Sequence, residues 1–279
     1  MPSGPRALLQ GQRLIEQGDY ARAAGKLRMA TSILTTNAEA WNYLAIACHH
    51  LDERDEAARA YQRALALNHD LSEAHYNLGC LWLEQNKLEA ARTEFTAYTL
   101  RRGNVPEGFL KLAAVQARAR DFNAAERSFN DVLRLSPQNP EALNGLGLLR
   151  LQQRRPAEAE QFFTAAIRQQ PGYRPAMLNS AIVSHQYLGD LPVALRKYRA
   201  WLALTPPPSN AAPVDALVRQ IERDLSAPQH PAPIAKAPAP AVTNPPPTRP
   251  SPAAVTRPLA APKVEPLAVV SKPVPATNS

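Results

Sequence analysis

Residues 140–173 read PEALNGLGLLRLQQRRPAEAEQFFTAAIRQQPGY, and the same frame returns along most of the chain. Gly147 stands eighth in this stretch, Ala159 twentieth, and Phe163 four residues beyond. On the twentieth position alanine recurs at Ala23, Ala57, Ala91, Ala125, Ala159 and Ala194. The first four gaps are equal and the last is longer by a single position. Leu27, Tyr61, Phe95, Phe129, Phe163 and Tyr198 keep the beat four residues later. A fixed period of this length marks stacked supersecondary units that bury their apolar faces on one another.

Rows of that length give six units: 4–37, 38–71, 72–105, 106–139, 140–173 and 175–208. The eighth column then reads Gly11, Ala45, Gly79, Ala113, Gly147, Ile182, and one extra residue falls near Arg174. The seventh reads Gln10, Leu44, Leu78, Leu112, Leu146, Ala181. Small residues at columns eight and twenty let two helices approach closely, with the aromatic filling the space beside them. Pro106, Pro140 and Pro175 open first helices; Pro156 and Pro192 fall in the first turn of second helices, where a missing N–H costs nothing. Gly18-Asp19, Arg120-Asp121 and Gly189-Asp190 mark the turns inside pairs. No stretch alternates as a strand does, so the fold class is all-α.

This column pattern resembles the tetratricopeptide repeat, a helix–turn–helix unit of about 34 residues. The resemblance extends over about three-quarters of the chain. It implies a right-handed α-α superhelical solenoid of helix pairs. It also implies that first helices line a concave groove for an extended or helical peptide. Carried over column by column, the candidate groove residues are Asn42, Tyr43 and Ile46 in the second unit and Tyr76 and Asn77 in the third. Leu110, Lys111 and Arg118 follow in the fourth, Asn144 and Leu148 in the fifth, and Asn179 in the sixth. Asparagine amides can pair with a peptide backbone through donor and acceptor, and tyrosine and leucine supply apolar area. Lys111 and Arg118 point to a ligand with apolar anchors and at least one acidic residue. Chaperone-binding members of the family clamp a C-terminal carboxylate with Lys and Asn at set columns. The pairs here are Leu8/Gln12, Asn42/Ile46, Tyr76/Cys80, Leu110/Ala114 and Asn144/Leu148, so that clamp is not expected.

Charge and chemistry narrow the function further. The net charge is +8, half of it from residues 227–279, and no dense basic cluster with interleaved aromatics points to nucleic acid. No P-loop, dinucleotide glycine fingerprint, GxSxG or HExxH is present, so no catalytic role and no cofactor is expected. His49-His50 beside Asp52-Glu53 is no metal site, because adjacent helical residues point about 100° apart. His75 reads as a packed histidine. Cys48 and Cys80 have neither metal nor CxxC spacing, and Cys48 reads as a small buried hydrophobe. No apolar run reaches membrane-spanning length. As written the chain reads as cytoplasmic, or as periplasmic or envelope-associated if a targeting segment lies upstream.

Beyond the repeats, Val214, Leu217, Val218, Ile221 and Leu225 share a helical stripe, which predicts a capping helix over 213–226. Fifteen of the last 53 residues are proline, with no aromatics. Residues 227–279 therefore read as a disordered Pro/Ala-rich tail, a tether or second binding site. Together these features predict a protein–protein interaction scaffold with a protein or peptide partner. The alternatives are a targeting or assembly factor working through the tail, or a regulatory subunit of an enzyme on another chain.

Overall fold

A methyl group added to Gly79 would stand 2.9 Å from the Phe95 ring, one on Gly147 2.5 Å from Phe163, and one on Gly11 2.5 Å from Leu27. Those partners lie on the helix that follows, so the small column lets two helices of a pair close on a buried side chain. The computed structural model, described over residues 3–226, builds six such antiparallel pairs: α1 (Ser3–Glu16) with α2 (Tyr20–Ile33), α3 (Ala38–His50) with α4 (Arg54–Leu67), α5 (Ser72–Glu84) with α6 (Leu88–Arg101), α7 (Pro106–Arg118) with α8 (Phe122–Leu135), α9 (Pro140–Gln152) with α10 (Pro156–Gln169), and α11 (Arg174–Ile182) with α12 (Leu191–Leu202). Among the described residues there is no strand. Each pair packs on the next, α2 on α3 and so on to α11, giving an α-α solenoid. Tyr61, Phe95, Phe129, Phe163 and Tyr198 are wholly buried, each worth about 1.5–3 kcal/mol of transfer free energy.

The turns repeat as regularly as the helices. Gly18, Asp52, Asn86, Arg120, Arg154 and Gly189 all have φ between 57° and 76°, the left-handed region that closes each pair. The next residue often caps the second helix. Asp19, Asp121 and Asp190 accept from the amides of Arg22, Ala124 and Val193 at 3.0, 3.1 and 3.0 Å. Asn37 and Asn139 do the same for first helices, from Ala40 at 2.8 Å and Ala142 at 2.9 Å.

The sixth pair corrects one sequence expectation. Helix α11 begins at Arg174, one full period after Pro140, so no residue is inserted there. The extra residue enters at a π-turn, Val183–Tyr187, that continues α11; α12 then begins at Leu191, one position beyond a full period from Pro156. A π-turn absorbs one added residue without breaking the helix. In this register wholly buried Ala181, not Ile182, takes the small column. The column then runs Gly11, Ala45, Gly79, Ala113, Gly147, Ala181 without a break.

Helix α13 (Ala211–Ser226) starts two residues before the expected 213. Its buried Val214, Leu217, Val218 and Ile221 join Leu178, Tyr198 and Trp201 in one cluster against the last pair. Leu225 is 45% exposed and leaves that stripe. The expectations for residues 227–279 lie outside the described residues.

Candidate functional site: the inner face of the first helices

Two faces of each first helix are already taken. The eighth column meets the helix that follows, as Gly79 and Gly147 show. The third and sixth meet the helix before: a methyl on Gly108 would stand 2.5 Å from Tyr98, and one on Gly145 2.3 Å from Phe129. At 100° per residue, columns 2, 5, 9, 12 and 13 then form the stripe that faces neither second helix. Consecutive first helices touch directly, α1 with α3, α3 with α5 and α7 with α9. The stripe therefore lines the inner side of the stack.

The candidate residues differ in access. Leu110 and Leu148 are half-buried and Arg118 is exposed, its Nη2 donating to Asn86 Oδ1 at 2.7 Å. Tyr43, Ile46, Tyr76 and Lys111 are buried. The Tyr76 ring lies edge-on to Phe95 at 5.8 Å and tilted against Tyr98 at 5.1 Å, so it serves the core as well as the stripe. Asn42, Asn77, Asn144 and Asn179 have no exposed surface. Two of them meet each other: Asn179 Nδ2 donates to Asn144 Oδ1 at 3.0 Å. Both amide atoms of Asn42, and Nδ2 of Asn144, are enclosed without a partner among the described residues.

Burial lowers the Lys111 pKa, while Cys80, Glu141 and Glu84 nearby pull it back up. Desolvation raises the pKa of Glu141, and Glu107 adds to the rise against the pull of Lys111. Burial pushes both thiols, Cys48 and Cys80, up to about 12, so neither is a ready thiolate. His49 Nε2 lies 3.1 Å from Glu84 Oε2. His75, half-buried, lies 2.7 Å from Glu94 Oε2 and 3.0 Å from the His69 carbonyl, a tie between helices.

Two groupings escaped the sequence reading. Glu39, Glu73, Glu107 and Glu141 occupy the second column of four consecutive first helices; a column search for charge, beside the one for apolar residues, would have found them. Cys48, Glu53 and Glu56 bring ligand-type atoms within 4.8 Å of one another. Arg28 already supplies the cation there, donating to Glu56 at 2.7 and 2.9 Å and to Glu53 at 2.6 Å. This cluster ties α2 to α4 and the turn before it.

The sequence profile of the tetratricopeptide repeat matches residues 38–71 and 110–174. Protein FlbA of Caulobacter vibrioides is 29% identical over 222 residues, which are 77% of this chain and 35% of that protein. Cellulose synthase operon protein C of Xanthomonas axonopodis pv. citri is 37% identical over 110 residues, 39% of this chain and 6% of that one. The chain thus spans only about a third of the first and far less of the second. Among solved structures, a tetratricopeptide repeat protein of Parabacteroides merdae superposes with a TM-score of 0.70 at 16% identity, covering 80% of this chain and 88% of that one. Pseudomonas aeruginosa PilF superposes at 0.60 with 20% identity, covering 77% and 97%. YrrB, described as a TPR protein with an unusual peptide-binding site, superposes at 0.54 with 18% identity, covering 71% and 97%. At these identities the structural likeness is one of fold. Among the described residues no helix is long and apolar enough to cross a membrane. Periodic columns, helix pairs, profile matches and structural neighbours agree: the chain is built of tetratricopeptide repeats, a fold typical of protein–protein interaction scaffolds and generally non-catalytic.

Proposed function

We propose that this protein is a non-catalytic scaffold that holds a peptide or protein segment along the inner stripe of its first helices. The observation that carries this reading is the stripe itself, the first-helix face that lies between the columns meeting the two second helices. Leu110 and Leu148 offer apolar area on it and Arg118 an exposed charge. Ile46 and Tyr76 form the floor, with Asn42 and Asn144 enclosed beside them, while buried Tyr43, Asn77, Lys111 and Asn179 stand at the sixth column, toward the helix before. Central, desolvated contacts usually dominate binding energy, so the two leucines are the anchors to test.

Affinity capture with the full chain, followed by mass spectrometry and titration of the captured partner, tests this. Leu110→Asp with Leu148→Asp is expected to weaken binding at least tenfold, about 1.4 kcal/mol. Arg92→Glu, on half-exposed surface of α6, serves as the control. Loss of binding in the Arg92 variant, with the leucine variant binding normally, would place the partner on the second helices and end this proposal.

A further inference from the structure

Four glutamates stand at the second position of four consecutive first helices, one repeat period apart: Glu39 in α3, Glu73 in α5, Glu107 in α7 and Glu141 in α9. All four lie on the inner stripe. Their electrostatic reach makes them one row. Tyr43, raised first by burial, is raised further by Glu39 and Glu73; Tyr98, likewise raised by burial, feels Glu107 and Glu73; and Glu107 acts on Glu141. Glu73 is met by Arg102 at 2.8 Å. Among the described residues, no ion pair reaches Glu39, Glu107 or Glu141 within 4.0 Å.

An acid in the first turn of a helix suits the macrodipole and by itself marks nothing. The second observation is the amides beside the row. Asn42 and Asn144 follow Glu39 and Glu141 by three residues, which puts each pair on one helix face. Both side chains have no exposed surface, and Asn42 Nδ2, Asn42 Oδ1 and Asn144 Nδ2 have no partner among the described residues. Enclosed amide donors and acceptors left unpaired are unfavourable, and a peptide backbone offers the complementary N–H and C=O. Of the positive charges nearby, Lys111 pulls on Glu141 from the sixth column, and Arg118 sits at the far end of α7, tied to Asn86.

We propose that the inner stripe takes an extended basic segment, with Lys or Arg side chains on the Glu39–Glu73–Glu107–Glu141 row and, where the first helices part, backbone groups toward the enclosed Asn42 and Asn144 amides. The proposal rests on the groove reading above and reverses the acidic ligand that Lys111 and Arg118 suggested. Its spacing follows from geometry. Where first helices pack directly, as α3 with α5 and α7 with α9, they lie about 8–10 Å apart, and three residues of polyproline-type chain rise about 9 Å. A cation at every third residue therefore keeps pace with the row.

The test uses the full chain and three fluorescein-labelled peptides, five repeats each of Arg-Pro-Ala, Gln-Pro-Ala and Glu-Pro-Ala, read by fluorescence anisotropy at two salt concentrations. The arginine peptide is expected to bind best and to weaken with salt. Glu39→Gln with Glu107→Gln and Glu141→Gln is expected to weaken it about tenfold or more, while Glu89→Gln on α6 leaves it unchanged. Thermal unfolding by circular dichroism checks that the triple variant folds. The residues Lys236, Arg249, Arg257, Lys263 and Lys272 of this chain are a basic source in cis. A gain in arginine-peptide affinity on changing all five to Gln would show them competing for the row and would support the proposal. Preference for the glutamate peptide, lost with Leu110→Asp, would overturn the basic ligand but keep the groove. Arginine-peptide binding that survives the triple variant and Leu110→Asp but is lost with Glu89→Gln would overturn both. Failure of the folded wild-type chain to bind the arginine peptide at low salt would overturn the basic ligand alone.

Discussion

Asn179 Nδ2 donates to Asn144 Oδ1 at 3.0 Å across two consecutive first helices, and neither side chain is exposed. Two of the buried asparagines thus bond to each other within the stack before any partner arrives. Asn42 and Asn77 stand at the same offset from each other toward the opposite end. A buried amide pair fixes the register of neighbouring helices more sharply than apolar contact does, because a mismatch leaves donors unpaired.

Replacing one member should therefore cost more than replacing both. Asn144→Leu removes the acceptor that Asn179 uses and should destabilise by about 1–3 kcal/mol. Asn144→Leu with Asn179→Leu should recover most of that loss. Urea midpoints of the full chain, with unchanged m-values, decide it. Equal loss in the single and double variants would mean that the two amides are not coupled.

The left-handed column gives a second expectation. Arg154 holds φ 60° where Gly18 and Gly189 hold the same turn without a side-chain penalty. A non-glycine residue in this region costs about 1–2 kcal/mol, and glycine loses about 0.5–1 kcal/mol through its freedom when unfolded. Arg154→Gly should therefore stabilise by up to about 1 kcal/mol. Gly18→Ala should destabilise, and for conformational reasons alone, because a methyl there meets nothing within 4 Å. Thermal midpoints moving the other way in both variants would remove the strain argument.

The periodic columns made the helix pairs and their turns legible in the sequence, because each depends on local residue type at a fixed spacing. The sixth pair shows where that reading stops. Counting from the proline at Pro175 put the insertion before α11, whereas Arg174 starts that helix and the π-turn at Val183–Tyr187 takes up the residue. A bulge inside a helix leaves the apolar pattern on both sides intact, so sequence spacing alone does not locate it. The site was less legible. Leu110, Leu148 and Arg118 keep surface with some access, but column position alone does not give access, which depends on how closely neighbouring helices pack. Packing against neighbouring helices buries Asn42, Asn77, Asn144, Asn179 and Lys111. A Tyr76→Ala and Asn77→Ala variant would accordingly disturb packing, and the leucines are the cleaner probes.

Gly145 offers the sharpest packing test. A methyl there would stand 2.3 Å from the ring of Phe129, which is wholly buried. Overpacking of this kind costs about 1–3 kcal/mol, and the helix propensity of alanine returns about 1 kcal/mol. Gly145→Ala should thus be net destabilising by about 1–2 kcal/mol despite adding a better helix former. Gly25→Ala, where nothing lies within 4 Å, should be stabilising by about 1 kcal/mol. Chemical denaturation of the two variants should move in opposite directions; a shared direction would mean that the α8–α9 contact yields easily.

Glu141 makes stability depend on pH with a sign that can be worked out. Desolvation and the charge of Glu107 raise its pKa above the ordinary glutamate value of 4.5, outweighing the pull of Lys111. A group with a raised folded pKa holds its proton more tightly in the folded state. Its contribution is therefore fully favourable below the unfolded value and is lost as pH rises through the folded one. At pH 7 the ionised carboxylate opposes folding, so Glu141→Gln should raise the urea midpoint there. The gain should shrink as pH falls toward 4, where the wild-type carboxyl is protonated in both states. The effect should stay below about 1 kcal/mol, because part of Glu141 faces solvent and exposed charges interact weakly. Midpoints of the wild type and the variant at pH 7, 5.5 and 4 give the comparison. A wild type more stable than Glu141→Gln at pH 7 would mean that attraction to Lys111 prevails, and the row would then be less repulsive than its spacing implies.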